Sequence, residues 1–443
     1  MTLDELRRAA ADGTVDTVLL CIADMEGRLQ GKRMTARHFV EQVVEHNAEG
    51  CNYLLAVDVD MNTVDGYEMS SWSRGYGDFV MVPDLSTLRM VPWHEGTALA
   101  MADLAWEDGS DVVASPRQIL RRQLARLAER GWKATAGTEL EFIVFRDSYE
   151  DAWRKGYRDL DPANLYNVDY SMLGTGRVEP LIRRIRNSMM TAGMRVENSK
   201  GECNFGQHEI NFHYDEALRT ADDHVIYKTG AKEIAAQEGM SITFMAKLDE
   251  REGNSCHIHC SLAHEGGGGN VFADDEQTFR RFVAGQLACL RELTLFFAPY
   301  VNSYKRYVEG SFAPTAVAWG NDNRTCSVRV VGHGQSLRVE NRMPGADVNP
   351  YLALAAMTAA GLHGIENELE LEPAFEGNAY ESAKPRVPHT MYAARDLFAG
   401  SEAAREAFGQ EVVDHYLNRA RIELDAYEAA VTDWEKYRGF ERL

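Results

Sequence analysis

The sequence of 443 residues lacks the features of membrane, disulfide-rich and zinc-knuckle proteins. It contains no run of eighteen apolar residues, which predicts that no segment spans a membrane. Its seven cysteines are an odd number without a CxxC pair, so neither a disulfide framework nor a zinc knuckle is expected. The opening stretch MTLDELRRAA is charged and has no apolar signal core behind it, which predicts a cytoplasmic protein with reduced thiols.

Basic residues are scarce relative to acidic ones: 47 Lys and Arg stand against 68 Asp and Glu, a formal net charge of -21. A surface this acidic argues against nucleic acid and anionic membranes as partners. The composition is otherwise that of a globular protein, with 45% apolar and 26% charged residues. The turn-rich stretch 107–111 predicts a boundary between an N-terminal domain (1–110) and a larger domain (111–443).

Local patterns predict a mixed α+β protein. Residues 17–30 contain an apolar strand, a turn and a second strand, which is the pattern of a hairpin. Ser115 as the cap, Pro116 at the first position and Gly131 after the end delimit a helix. Further helices are expected at 35–46, 179–192, 221–238, 276–297, 350–364 and most of 401–434, and strands at TELEFIVF, HEINFHY, SITFMAK, CHIHCSL, CSVRVV and SLRVENRM. The tetraglycine at 266–269 predicts only a flexible hairpin tip.

Charged side chains occupy strands where a sheet face would ordinarily be apolar or mixed. Glu139 and Glu141 are two residues apart, so they share a face of one strand. Adjacent, partly buried carboxylates repel each other unless a cation lies between them, although a solvated edge strand would also explain the pair. His257 and His259 share a face of another strand, which fits core packing and metal ligation equally well.

Further charged residues extend this pattern. Glu202 and Glu209 flank a glycine-containing turn, and Arg338, Glu340 and Arg342 alternate along one strand. A plain cross-strand ladder of ion pairs would explain that alternation as well as a functional site does. Oxygen-rich ligation with an imidazole is typical of Mg²⁺ or Mn²⁺ rather than structural zinc. Arginines suited to carboxylate and phosphate oxygens stand at 306, 324, 329, 338 and 342.

Six ordered motifs resemble those of the glutamine synthetases, in particular the bacterial type and its γ-glutamyl-amine ligase relatives. They are GTELEFIVF, GECNFGQHEINF, GNSCHIHCSL, NSYKRYVEGSFAP, NRTCSVRV and RVENRMPGADVNPY. The resemblance is strong over 115–355 and weak over 50–75. It implies a small β-grasp-like N-terminal domain and a large catalytic domain whose curved antiparallel sheet is flanked by helices. It also implies a homo-oligomeric double ring, usually a dodecamer, with active sites shared between subunits.

The resemblance assigns roles to individual residues. It implies ATP and two or three Mg²⁺ or Mn²⁺ ions, with Glu141, Glu202 and Glu209 on the first ion and Glu139, His257 and Glu340 on the second. The glutamate-binding positions are Arg306, Arg342 and Gly253, with Glu252 beside them. Arg324, Arg329 and Arg338 match positions at the transferring phosphate and the nucleotide, and His259, Ser261 and Tyr214 match nucleotide-contact positions.

The sequence departs from the family where the nitrogen donor binds. Phe312 stands where the family carries a flap glutamate that helps capture and deprotonate ammonium. A phenyl ring neither pairs with NH₄⁺ as a counterion nor accepts a proton, but it can line a pocket for a carbon chain. The resemblance therefore predicts an ATP-dependent ligase that forms a γ-glutamyl amide, through γ-glutamyl phosphate, from glutamate and an ethanolamine-like, polyamine-like or simple alkyl primary amine.

Several alternatives remain open at this stage. The protein could be a true glutamine synthetase that uses ammonium, with Phe312 a packing residue and Glu309 reaching inward. An inactive structural homologue is a second alternative, but it predicts lost metal ligands, and all of them are present. Gln335 replaces a family lysine on the nucleotide side, and Tyr380 lies where enteric enzymes carry a nucleotidylated tyrosine. The residue that deprotonates the amine is Asp58, Asp60, Asp65, Glu309 or Glu202.

Overall fold

A computed structural model describes all 443 residues, and its strands form two sheets. The first sheet has five strands in the order β2-β1-β5-β4-β3, with β1 and β5 parallel and the other pairs antiparallel. Its strands are β1 (Thr17–Ala23), β2 (Leu29–Thr35), β3 (Ala48–Cys51), β4 (Asp78–Met90) and β5 (Thr97–Ala105). All of them precede residue 107, where the sequence predicts a boundary.

The second sheet has nine strands, with β6 near its centre. The strand order is β12-β13-β14-β11-β6-β8-β7, and β9 and β10 also pair with β6. Only the β12–β13 pair is parallel. These strands are β6 (Trp132–Phe145), β7 (Val196–Gly201), β8 (Gln207–Phe212), β9 (Asp215–Glu216), β10 (Ser241–Thr243), β11 (Cys256–His264), β12 (Trp319–Asn321), β13 (Val328–Val331) and β14 (Arg338–Asn341).

The α-helices lie between and around the sheets. They are α1 (Leu3–Asp12), α2 (Ala36–His38), α3 (Val44–His46), α4 (Pro116–Ala128), α5 (Tyr149–Arg154), α6 (Met172–Thr175), α7 (Glu179–Thr191), α8 (Ala217–Gln237), α9 (Val271–Asp274), α10 (Glu276–Cys289), α11 (Thr294–Phe297), α12 (Pro350–Glu366), α13 (Met391–Gly400), α14 (Glu402–Phe408), α15 (Gln410–Ala429) and α16 (Asp433–Gly439). A π-helical turn, Phe39–Val43, joins α2 to α3. None of the helices combines the length and the apolar character needed to cross a membrane.

The predicted N-terminal hairpin is confirmed, and its turn shows why it forms. The side chain of Asp24 accepts hydrogen bonds from the backbone N–H groups of Glu26, at 3.0 Å, and Arg28, at 2.8 Å. Gly27 has a φ of 71°, in the left-handed region that glycine adopts at low cost. Strand β2 forms an edge of the first sheet and is largely exposed, whereas β1 lies between β2 and β5 and is largely buried.

Two details of the helices differ from the sequence expectations. Ser115 occupies the position before α4, but its side chain makes no capping hydrogen bond. The helix expected over 276–297 is interrupted between Cys289 and Thr294, where the hydroxyl of Thr294 donates to the carbonyl of Leu290 at 2.8 Å. A threonine hydroxyl that bonds a nearby carbonyl in this way competes with regular helical geometry.

A buried ion-pair network links the first sheet to helices α4 and α8, and apolar packing joins the two sheets. Arg117, on α4, contacts Asp84 and Asp103 of the first sheet's strands and Asp222 of α8. One apolar cluster of 103 buried residues includes side chains from both sheets. The division into domains 1–110 and 111–443 therefore stays a prediction, since the core is continuous across it.

Candidate active site

Strand pairing in the second sheet aligns the charged side chains that the sequence singles out. Glu141 of β6 lies directly opposite Glu209 of β8, and Glu209 lies opposite Lys200 of β7. On the other side of β6, Glu139 lies opposite His257 of β11. Opposite residues on neighbouring strands have Cβ atoms roughly 4.5–5.5 Å apart. The carboxylates therefore form two neighbouring groups on one sheet face.

The first group contains Glu141, Glu202 and Glu209, whose nearest carboxylate oxygens lie within 4.8 Å of one another. Burial, together with the charges of Glu202 and Glu209, raises the pKa of Glu141 well above its ordinary value. Burial and the charges of Glu139 and Glu202 raise the pKa of Glu209 to about 8. Three repelling carboxylates of this kind form the donor set that suits a hard divalent cation such as Mg²⁺.

Two groups that the sequence analysis did not identify hold Glu141 in place. The backbone N–H of Ser255 donates to Glu141 Oε2 at 2.7 Å, and Gln207 Nε2 donates to the same oxygen at 3.2 Å. Gln207 Nε2 also lies 2.9 Å from the carbonyl of Gly253 and 2.9 Å from Asn254 Oδ1. The sequence does contain a sign of this role for Gln207, because Gln207 lies two residues before Glu209 and therefore on the same strand face.

Lys200 is a second residue that the sequence analysis did not identify. Its ammonium pairs with the carboxylate of Glu202, lies 3.7 Å from Asp169 and sits 4.6 Å from the ring centroid of Tyr170. Burial disfavours the charged ammonium, but the carboxylate of Glu202 outweighs it and raises the pKa of Lys200. Lys200 thus places one positive charge at the rim of the first carboxylate group.

The second group contains Glu139 and Glu340 with two histidines. His257 Nδ1 lies 3.5 Å from Glu139 and 3.7 Å from Glu340, and His259 Nε2 lies 2.9 Å from Glu139. Burial and the charge of Arg342 lower the pKa of His257 to about 4, so its ring is neutral. His257 Nε2 is buried without a hydrogen-bond partner. The ligand atoms of Glu139, His259 and Glu340 lie within 4.8 Å of one another, and His257 Nδ1 faces the same two carboxylates, so the group fits a divalent cation.

Arginines adjoin the second group on its open side. A cavity of about 670 Å³ is lined by Glu139, Arg324, Arg329 and Arg338 among other residues. Arg329 Nη1 lies 2.8 Å from Glu340 Oε2, and the guanidinium also contacts Asp322. Such a cavity, with guanidinium groups beside a cation site, can hold phosphate groups.

The positions that resemble nucleotide contacts line an adjoining cavity of about 520 Å³. Its lining includes Tyr214, His259, Ser261 and Arg338, and His259 and Arg338 border both cavities. Gln335 also lines it and accepts a hydrogen bond from the backbone N–H of Asn270 at 2.8 Å. Gly267 and Gly269 belong to the same wall, so the tetraglycine segment is part of this cavity and more than a hairpin tip.

Arg306 and Gly253 lie together behind the first carboxylate group. Arg306 is 2% exposed, and its guanidinium donates to Ser255 Oγ at 3.1 Å, to the Arg342 carbonyl at 3.2 Å and to the Met343 carbonyl. A Cβ on Gly253 would lie 2.8 Å from Arg306 Cγ, so the close approach requires glycine. Glu252 is exposed, and its carbonyl accepts from Asn204 at 2.8 Å. The glutamate-binding roles of these residues stay predictions.

Phe312 lies on a loop that is connected to the second group through Arg342. Arg342 Nη2 donates to the Phe312 carbonyl at 3.3 Å, and Arg342 Nη1 pairs with Glu340. Phe312 has a φ of 58°, and 56% of it is exposed. Glu309 does not contact either carboxylate group, because its only ion pair is with Arg386 at 3.8 Å.

The other candidates for the base and for regulation have different surroundings. The Asp58 carboxylate accepts from Asn62 at 2.8 and 3.0 Å, and no hydrogen bond or ion pair of Asp58, Asp60 or Asp65 reaches either carboxylate group. Tyr380 is 8% exposed, and its hydroxyl donates to the Ala313 carbonyl at 3.1 Å. A buried, bonded hydroxyl is a poor site for nucleotidylation.

Comparison with known proteins agrees with this arrangement. The family model described as glutamine synthetase, catalytic domain, matches residues 113–438. The gamma-glutamylethanolamide synthetase GlnA4 of Streptomyces coelicolor is 66% identical over 444 aligned positions, which cover 100% of this chain and 96% of that protein. The chain belongs to the glutamine synthetase family. The membership expected from the six motifs is thereby confirmed.

Other members of the glutamine synthetase family match over similar lengths. The glutamate–isopropylamine ligase of a Pseudomonas species is 38% identical, covering 95% of this chain and 94% of that protein. The glutamine synthetase of Thermus thermophilus is 34% identical, covering 81% and 82%. The solved structure titled GmaS/ADP complex has a TM-score of 0.86 at 27% identity and covers 98% of this chain and 99% of that chain. The predicted fold class is thereby confirmed.

Proposed function

We propose that this protein is an ATP-dependent ligase that joins the side-chain carboxylate of glutamate to an organic primary amine and forms a γ-glutamyl amide. Phe312 carries the proposal, because it places an exposed phenyl ring where the family has an ammonium-binding carboxylate. The names of two relatives support it, since one is a gamma-glutamylethanolamide synthetase and the other a glutamate–isopropylamine ligase. Because this chain is 66% identical to the gamma-glutamylethanolamide synthetase, we favour an ethanolamine-like amino alcohol as the acceptor class.

The reaction has two steps. An oxygen of the glutamate side chain attacks the γ-phosphorus of ATP, and ADP leaves with the electron pair of the broken P–O bond. The amine nitrogen then attacks the carbonyl carbon of the acyl phosphate, inorganic phosphate leaves, and the nitrogen loses a proton to a base. Arg324, Arg329 and Arg338, which line one cavity, would hold phosphate oxygens, while Arg306 and Arg342 with Gly253 would hold glutamate.

Divalent cations fit both groups of ligands. Glu141, Glu202 and Glu209 would hold the first. Glu139 and Glu340 would hold the second with an imidazole, either His257 as the resemblance implies or His259, whose ring nitrogen lies within 4.8 Å of both carboxylates. Two or three Mg²⁺ or Mn²⁺ ions, when bound, would neutralise charge on the phosphate oxygens. The nucleotide would occupy the cavity of Tyr214, Ser261 and His259, next to the arginines.

The residues where the nitrogen donor would bind favour an organic amine over ammonium. Without a flap carboxylate, the site lacks one anion that would stabilise NH₄⁺ and take its proton. A carbon chain gains about 0.8 kcal/mol for each methylene group buried on an apolar surface such as Phe312. Glu202 is the candidate base within this chain's own site, whereas Asp58, Asp60 and Asp65 would act only from a neighbouring subunit of a dodecameric double ring. Cytoplasmic location fits the seven free cysteines.

The test is a phosphate-release assay with ATP, Mg²⁺, glutamate and a panel of amines that includes ethanolamine, putrescine, isopropylamine and ammonium. Products are separated so that each γ-glutamyl amide is identified. We expect amide formation with at least one organic amine at a kcat/KM well above that for ammonium. Glutamine formation at low millimolar ammonium, with no amide from any amine, would reassign the protein to ordinary glutamine synthetase.

A further inference from the structure

The loop that carries Phe312 is held in an unusual backbone conformation by groups outside it. We call residues 308–315 the acceptor flap. Phe312 has a φ of 58°, in the left-handed region, which is uncommon and strained for residues other than glycine. Such a conformation persists only where surrounding contacts determine it. The contacts that do so here come from Arg342 and Tyr380.

Two hydrogen bonds hold consecutive carbonyls of the acceptor flap. Arg342 Nη2 donates to the carbonyl of Phe312 at 3.3 Å, and the hydroxyl of Tyr380 donates to the carbonyl of Ala313 at 3.1 Å. Pro314 follows Ala313, and the residue before a proline is restricted to extended backbone. Together these constraints act on both sides of the peptide bond between Phe312 and Ala313.

Tyr380 is itself fixed by a segment that runs along the acceptor flap, residues 377–387. Arg386 Nη2 donates to the Tyr380 carbonyl at 2.8 Å, and Arg386 Nη1 donates to Thr315 Oγ1 at 3.1 Å. The backbone of Val387 donates to the Thr315 carbonyl at 3.1 Å. The tyrosine hydroxyl therefore reaches the acceptor flap from a buried residue whose backbone carbonyl is bonded to Arg386.

We propose that Tyr380 is a positioning residue for the amine acceptor: its hydroxyl bond to the Ala313 carbonyl holds the acceptor flap so that the Phe312 ring faces the incoming carbon chain. The inference rests on the proposed function, because it concerns the acceptor of that reaction. Tyr380 acts only through Phe312, and it has no contact with the carboxylate groups or with the arginines at the phosphate cavity.

The test uses Tyr380→Phe in the full-length protein, which removes the hydroxyl and keeps the buried ring. Loss of one hydrogen bond predicts a three- to tenfold rise, roughly, in the KM of the best amine. The KM values of ATP and glutamate should stay within about twofold, since Tyr380 bonds the Ala313 carbonyl, whereas Arg342 bonds the Phe312 carbonyl and keeps that contact in the variant. Tyr416→Phe is the matched control, because its hydroxyl donates to the Ala114 carbonyl at 3.0 Å, outside the acceptor flap.

A double-mutant cycle separates positioning from a general structural effect. Phe312→Gly accepts the left-handed φ and has no ring to position, so adding Tyr380→Phe should change the amine KM by less than about twofold. Thr315→Val provides a second variant, which removes the Arg386 contact and should move the amine KM in the same direction. Equal effects of Tyr380→Phe with and without the Phe312 ring, or equal changes in all three KM values, would overturn the inference.

The outcome is distinguishable from failure of the proposed function. If the unmodified protein makes amide from an organic amine and Tyr380→Phe keeps the original amine KM, the positioning role is wrong and the function stands. If the unmodified protein uses only ammonium, the function is wrong. The positioning role is then wrong as well, because ammonium has no carbon chain for the Phe312 ring to face.

Discussion

Glu141 and Glu209 lie directly opposite each other on strands β6 and β8, with their carboxylates buried. Two negative charges in this arrangement repel, and Glu202 adds a third. The repulsion makes the site costly in the metal-free protein and favourable for a divalent cation. The same residues therefore set both metal binding and part of the stability.

We expect Glu209→Gln to stabilise the metal-free protein and to weaken its stabilisation by Mg²⁺. Because the pKa of Glu209 is raised to about 8, folding of the metal-free protein near pH 7 requires this carboxylate to take up a proton, and glutamine removes that cost, while the lost ligand lowers metal affinity. Phosphate release should fall by at least about 100-fold. The measurement is thermal unfolding with and without millimolar Mg²⁺, together with the phosphate assay. Glu49→Gln, at an exposed position of β3, is the control. An unchanged Mg²⁺-dependent shift in Tm would contradict the assignment.

Arg342→Lys should impair glutamate use. A lysine ammonium cannot reproduce the two-sided contact with Glu340 and the Phe312 carbonyl, nor the bidentate recognition of a substrate carboxylate. We expect a rise in glutamate KM, or a fall in kcat, of about tenfold or more. Arg329→Lys serves as comparison, since Arg329 contacts Glu340 but not the acceptor flap. Arg329→Lys should raise the KM of ATP and leave the KM of glutamate nearly unchanged. Identical profiles for the two variants would argue against separate roles.

Phe312→Glu should move acceptor preference toward ammonium. A carboxylate at this position supplies a counterion for NH₄⁺ and a proton acceptor, and it removes apolar surface from the amine's carbon chain. We expect the ratio of kcat/KM for ammonium to that for the best amine to rise about tenfold, which corresponds to roughly 1.4 kcal/mol. Phe312→Leu keeps the apolar character without the charge and should leave the ratio nearly unchanged. Competition between ammonium and the amine, with both products quantified, measures it.

Gly269→Ala should weaken ATP binding more than Gly266→Ala does. Both glycines have positive φ, 96° and 76°, so both substitutions strain the same loop. Only at Gly269 would the added Cβ lie 2.9 Å from Gln335 Oε1, in the wall of the nucleotide cavity, while a Cβ at Gly266 meets nothing within 4 Å. We expect a rise in ATP KM for Gly269→Ala that Gly266→Ala does not show. Equal KM values for ATP in the two variants would show that this loop does not contribute to nucleotide binding.

His415 should make the protein less stable in acid. Burial lowers the pKa of His415 from 6.5 to about 3, so the unfolded chain binds a proton between these values and the folded chain does not. Stability from this group is present above pH 6.5 and is lost as the pH falls through that window. The loss between pH 7 and pH 5 is about 2 kcal/mol.

Urea unfolding at pH 7 and pH 5 measures this loss. In His415→Gln the difference between the two unfolding free energies should shrink by about 2 kcal/mol, because the side chain no longer titrates. His389→Gln, at an exposed position, should leave the difference unchanged. A pH dependence in His415→Gln equal to that of the unmodified protein would assign the acid sensitivity to other groups.

The sequence by itself determined which residues share a strand face. The pairs Glu139 with Glu141 and His257 with His259 follow from the two-residue period of an extended strand, which is local geometry. The hairpin at 17–30 and the helix that begins at Pro116 were predictable for the same reason, since turn residues and a proline at the first helical position act over a few residues, although Ser115 forms no capping hydrogen bond. The six ordered motifs predicted the family and the fold class.

Only the tertiary structure decided which faces meet and where side chains point. Glu141 meets Glu209 because of a strand register between segments about seventy residues apart in the chain, which no local period specifies. Arg306 turns its guanidinium toward the Met343 carbonyl, and Glu309 pairs with Arg386 rather than reaching the carboxylates. Tyr380 lies far from Phe312 in sequence and touches its neighbour Ala313 in space. Such contacts depend on packing across the whole fold, so local sequence rules do not reach them.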